Sequence, residues 1–143
     1  MGTFSVACRI SNVIDRSRSV EIPKILVDAG SEHTWVPEMT LEGIAIAREK
    51  KDVQFIMANG EIVTRSVGFA ILYVEDSFTI DEVVFAEPGD LLLLGARTLE
   101  GLNLTVDSRL KRLVAAGPLP AARAFTPIQD GSAIELPLSA AAL

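Results

Sequence analysis

The chain has 143 residues, 49% hydrophobic and 22% charged, which suits one compact domain and lies far from the composition of disordered chains. Its formal net charge is −6, with no basic stripe to neutralise phosphates, which argues against nucleic-acid binding. A single cysteine, Cys8, excludes an intrachain disulfide, and apolar runs such as 67–74 are far too short to cross a bilayer.

The first residues show no basic stretch leading into an apolar one, so no signal peptide is expected, and the lone thiol suits a reducing, cytoplasmic setting. The stretch 3–14 is rich in β-branched and apolar residues and reads as a strand, followed by the polar turn Asp15-Arg16-Ser17-Arg18. A second strand spans 20–27, with Pro23 marking an edge or a bulge. After Asp28, the short strand Thr34-Trp35-Val36 is stopped by Pro37, and 38–47 is predicted as a short helix because Met39, Leu41 and Ile44 recur at roughly helical spacing. Residues 53–58 and 61–67 alternate apolar and polar around Asn59-Gly60, the strongest two-residue hairpin signal. Two further strands, 67–74 and 78–85, are joined through Glu75-Asp76-Ser77, and the pair Asp81-Glu82 reads as a solvated turn face. Pro88-Gly89 makes a turn before Leu91-Leu92-Leu93-Leu94, an apolar run of the kind a strand buried on both faces shows. Gly95 ends it. A helix is expected over 96–102 and a last strand over 104–106, which 109–114 extends. From 115 onward prolines and alanines replace the strand pattern, so the chain divides into a domain over 1–114 and a Pro/Ala-rich tail or arm over 115–143, whose stretch 133–138 can pack as an extended strand.

The chemistry concentrates in Leu26-Val27-Asp28-Ala29-Gly30-Ser31-Glu32. A carboxylate at the end of an apolar strand is costly to desolvate and is rarely placed there without a partner or a purpose. Gly30 lets the backbone turn back so that its N–H groups approach that carboxylate.

These segments resemble a retropepsin-like (clan AA) aspartic protease subunit of the small prokaryotic single-domain type. The resemblance spans roughly 3–114 and is carried by the active-site loop Ile25-Leu26-Val27-Asp28-Ala29-Gly30-Ser31, the Asn59-Gly60 hairpin as flap, and Leu92-Leu93-Leu94-Gly95-Ala96-Arg97 before a helix. It implies an all-β, half-barrel fold with one or two short helices. It also implies an aspartic endopeptidase with no metal and no cofactor. Asp28 would be catalytic, Ala29, Gly30 and Ser31 would form the active-site loop, and Glu32, Ala58, Asn59 and Gly60 would bind substrate from rim and flap. Carboxylate-driven peptide hydrolysis needs two carboxylates about one water, one ionised and one neutral, and close carboxylates reach that state by sharing a proton. No second Asp-x-Gly follows an apolar strand; Asp130-Gly131 lacks both strand and spacing. The resemblance therefore implies a homodimer with Asp28 of each chain on a twofold axis, acting on peptide or protein substrates, with no nucleic-acid or membrane partner.

Ala29 departs from the pattern, which carries Thr or Ser there. The resemblance assigns that hydroxyl a hydrogen bond across the twofold, which alanine cannot make. Two symmetric losses weaken a dimer by about 1–3 kcal/mol, or about ten- to a hundredfold in Kd. The alternative is a catalytically impaired domain of this type, kept as a dimerisation or peptide-binding module. A third reading, an unrelated ligand-binding β-domain, requires that the Asp28 and 91–94 segments not interlock. Of the remaining residues, His33 reads as structural or rim, Trp35 as packing beneath the loop, Cys8 as an inert thiol, and Glu32 as a binding residue or a dimer salt-bridge partner of Arg97.

Overall fold

A computed structural model describes residues 3–121. Nine strands and two short helices follow in chain order among these residues: β1 (Phe4–Ser11), β2 (Ser19–Val27), β3 (Thr34–Pro37), α1 (Glu38–Gly43), β4 (Lys50–Ile56), β5 (Ile62–Val74), β6 (Ser77–Ala86), β7 (Leu93–Leu94), α2 (Ala96–Leu102), β8 (Leu104–Asp107) and β9 (Arg112–Ala115). The fold is all-β, as the sequence implies.

Seven strands form one sheet in the order β1-β2-β7-β3-β6-β5-β4, and an added β1–β5 pairing closes six of them into a ring. The strand β5 makes closure possible. Its first half pairs with β4 and its second half with β1, while β6 runs along its other edge. Two separate strands were expected over this stretch, but β5 passes unbroken through Gly68, where an added methyl would overlap the Ala47 carbonyl oxygen. In β2, Pro23 and Lys24 together oppose the single residue Ala7, so the expected irregularity at Pro23 is a bulge.

The helix α1 stops at Gly43 rather than reaching 47. Leu41, Ile44 and Ile46 are all buried, and the last of these breaks helical spacing. The Leu41 carbonyl accepts from both Ile44 N and Ile46 N, Ala45 turns left-handed (φ 61°), and the Asn12 side-chain amide donates to the carbonyls of Ile44 and Ala45. At the other end, β8 is not extended by 109–114; the chain reverses and returns as β9 in a two-stranded hairpin. Beyond it, Ala116 N donates to Asn103 O and the Asn103 amide donates to Gly117 O. The expectation for 133–138 lies outside the described residues.

The barrel interior holds Ile10, Ile25, Leu41, Leu72, Phe85 and Leu94, all fully buried. A second cluster of Trp35, Val67, Val84, Ala86 and Leu93 packs with Val53, Phe55, Met57 and Val63 of the β4–β5 hairpin. This second cluster fixes the hairpin stem to the barrel. No helix among the described residues is long and apolar enough to cross a membrane.

Candidate functional site

The strand β7 lies between β2 and β3, parallel to the first and antiparallel to the second. The loop 28–33 that joins β2 to β3 must therefore cross over the end of β7, and the two segments lock together. Asp28 N donates to Leu94 O at 3.0 Å, Ala96 N to Ser31 O at 2.7 Å and Arg97 N to Glu32 O at 3.1 Å. Gly95 sits at the crossing, where a methyl would overlap the His33 carbonyl. Its N–H donates to Thr34 Oγ1 at 2.9 Å. Thr98 Oγ1 gives its only proton to Asp81 Oδ2 at 2.8 Å, so the 2.6 Å bond between Thr34 and Thr98 has Thr34 as donor. Each hydroxyl is satisfied, and the relay ends on a carboxylate.

Within the loop, Gly30 N donates to Asp28 Oδ1 at 3.0 Å and Ser31 N to Asp28 O at 3.1 Å. The tight turn read from Asp28-Ala29-Gly30 is present, and it orients the carboxyl group. One oxygen is held by the backbone, and the half-buried group faces an open cleft of about 470 Å³. Asp28, Gly30, Ser31, Glu32 and His33 line that cleft from one side, and Ile56, Met57 and Ala58 line it from the β4–β5 hairpin. Trp35, Phe55, Leu91 and Leu93 complete its walls.

The hairpin tip is a three-residue loop. Gly60 N donates to Met57 O, Met57 N to Glu61 O, and Gly60 alone in the tip takes positive φ (87°). That is a type I turn closed by a glycine bulge, where the Asn59-Gly60 signal suggested a two-residue turn. Asn59 Oδ1 accepts from Glu61 N and so shapes the tip. Ala58 lines the cleft, whereas Asn59 and Gly60 do not. Ala29 is also absent from this cleft. It is exposed on a second hollow of about 430 Å³, shared with Asp28, Gly30, Thr3, Phe4, Val106 and Ser108.

The run 91–94 is a strand only at Leu93 and Leu94, each buried in a different cluster. Leu91, expected in the core, is 63% exposed and stands at the cleft. Asp90 explains the departure. Its carboxylate grips Arg65 of β5 through two bonds, of 2.7 and 2.9 Å, and accepts from Glu87 N, which turns the chain before Leu91. The pair ties the hairpin stem to the segment that enters the interlock. Arg65 holds the Asp90 carboxyl below its ordinary range.

Asp81 and Glu82 are not a solvated turn face. They lie within β6, largely buried, and organise charges the sequence scatters widely. Glu82 meets Lys50, His33 Nε2 at 3.4 Å and Arg97 at 3.5 Å, while Arg97 also lies 3.1 Å from His33 Nε2. The Lys50 hydrogen bond holds the Glu82 carboxyl below its ordinary range. His33 packs edge-on against Phe55, which packs edge-on against Trp35. His33 is thus the rim residue expected, and Trp35 is buried beneath the loop. Inside one chain Glu32 meets Arg97 only through the backbone. Cys8 is buried in the core, and burial raises its thiol pKa to about 12. No sequence signal linked Asp81 and Glu82 to the cleft, because their partners belong to three other segments, the 28–33 loop, β4 and α2.

The acid dependence of stability follows from Asp90 and Glu82. Both carboxyls are depressed in the fold, so their contribution is complete above the ordinary carboxylate range and is lost as pH falls through the depressed values. Thermal unfolding should show Tm falling on acidification below about pH 4. Asp90→Asn should cost about 1–3 kcal/mol at neutral pH and flatten part of that acid limb, read by urea denaturation at several pH values.

No protein-family model matches the chain, and no curated protein matches it. Among solved structures it is similar to the solution structure of simian foamy virus (mac) protease, at 20% identity and a TM-score of 0.44, covering 67% of this chain and 91% of that one.

Proposed function

We propose that the protein is an aspartic endopeptidase that works as a homodimer, with one Asp28 from each protomer. The observation that carries this reading is the interlock. It holds a half-buried carboxylate, pinned by Gly30 N, at the foot of a cleft bordered by a hairpin. The active-site loop, the hairpin and the second apolar-Gly segment of the family resemblance converge at this one place.

The chemistry needs a second carboxylate, and the hollow beside Ala29, which no residue of the hairpin lines, leaves the Asp28 loop open. A second copy on a twofold axis there brings the two Asp28 groups together. They share one proton. The ionised carboxylate takes a proton from water as its oxygen attacks the peptide carbonyl, and the protonated partner donates to the carbonyl oxygen. The tetrahedral intermediate then collapses with proton transfer to the leaving amine. The hairpin closes over the bound peptide and excludes bulk water.

Incubation with an unfolded protein between mildly acid and neutral pH should give cleavage that a pepstatin-like inhibitor stops. A verified dimer that cleaves nothing sinks the proposal. Ala29 favours one second reading, a dimerisation or peptide-binding module with impaired catalysis, because its exposed methyl offers no hydrogen bond across the axis. Ala29→Thr should therefore tighten the dimer about ten- to a hundredfold in Kd, measured by sedimentation equilibrium.

A further inference from the structure

The cleft beside Asp28 carries one sign of charge. Asp28 and Glu32 line it, and no lysine or arginine does. Nearby cations are already engaged: Lys50 and Arg97 face Glu82 and Asp81, and Arg65 is held by Asp90. His33 turns Nε2 toward Glu82 and Arg97. Glu32 differs from all of these. It is exposed at the mouth of the cleft and has no ion-pair partner among the described residues. Behind it the walls are apolar and aromatic, with Trp35, Phe55 and Leu93.

Apolar walls with a free carboxylate at the mouth suit a side chain with a hydrocarbon stem and a cationic head. The stem buries against the walls while the head stays at the wet rim, near both carboxylates and the aromatic rings. An uncharged side chain of equal length gains only the burial, and an acidic one meets two like charges.

We infer that Glu32 is a specificity-determining residue, which selects peptides that place a lysine or arginine side chain in the cleft beside Asp28. The inference rests on the protease reading for its class of ligand. It adds a charge preference that the reading does not contain.

Trp35 is the only tryptophan in the chain and lines the cleft, so its fluorescence reports occupancy directly. The probes are peptides with an uncleavable hydroxyethylene unit in place of one peptide bond, identical except for Lys, Met or Glu next to that unit. Titrated into the full-length protein at low ionic strength, the Lys peptide should bind about fivefold tighter than the Met peptide, and the Glu peptide weakest. The Lys advantage should shrink in about 1 M salt and vanish in Glu32→Gln, which should still bind the Met peptide. Glu32→Lys should reverse the order and favour the Glu peptide. Equal binding of Lys and Met peptides, or a Lys preference that survives in Glu32→Gln, overturns the inference and leaves the protease reading standing. If none of the peptides perturbs Trp35, both fall together.

Discussion

Asp28→Asn should reduce peptide cleavage by at least about 10³-fold while leaving the fold intact. In a homodimer the substitution removes both carboxylates at once, so neither a base for the water nor an acid for the carbonyl remains. The fold should tolerate it because the oxygen of the substituted amide can still accept from Gly30 N, as Asp28 Oδ1 does at 3.0 Å. The change in unfolding free energy should stay within about 1 kcal/mol. Cleavage rate, thermal unfolding and sedimentation, measured on one preparation, separate a chemical loss from a structural one. Undiminished cleavage by a folded Asp28→Asn dimer would remove Asp28 from the mechanism.

Gly95→Ala should do the opposite and damage the fold before the chemistry. The added methyl would run into the carbonyl groups of His33 and Glu32, which are backbone and cannot rotate aside. Relief requires the crossing loops to separate, and with them the bonds from Asp28 N to Leu94 O and from Ala96 N to Ser31 O. The expected cost is at least about 3 kcal/mol, a large part of the stability of a domain this size. Urea denaturation measures it. Gly60→Ala is the control: that site has positive φ (87°) but open space around it, so only the backbone term applies, at about 1 kcal/mol. If Gly95→Ala proves no worse than Gly60→Ala, the interlock is not what holds the loop.

These two glycines also show how far the sequence could be read. The turn at Asp28-Ala29-Gly30 was legible because carboxylate, small residue and glycine act within a few bonds of one another. The Leu93-Leu94-Gly95 segment was legible as an apolar strand with a breaker, but its insertion between β2 and β3 was not; only the family resemblance pointed there. Asn59-Gly60 announced a hairpin, yet the choice between a two- and a three-residue tip depended on the Met57–Glu61 pairing. Leu91 was misjudged because a run of four leucines hides the point where the Asp90 turn ends and burial begins. The Glu82 network was invisible for a different reason. Its members, His33, Lys50, Glu82 and Arg97, are ordinary surface residues in sequence, and only the pairing of β3, β6, β5 and β4, together with the crossing that seats α2, sets them side by side.

The threading of β7 between β2 and β3 has a consequence in time as well as in space. Asp28 lies early in the chain, but the groups that hold its loop are Leu94, Ala96 and Arg97. A nascent chain released from the ribosome from its N-terminus has made β1 through β6 before any of these emerge. Pairings so distant along the chain are also the slow ones to form. The interlock around Asp28 therefore closes only once residues 94–97 are present, and a chain truncated before residue 94 would keep the local bonds from Gly30 N and Ser31 N but lose every backbone bond that ties the loop to the rest of the barrel.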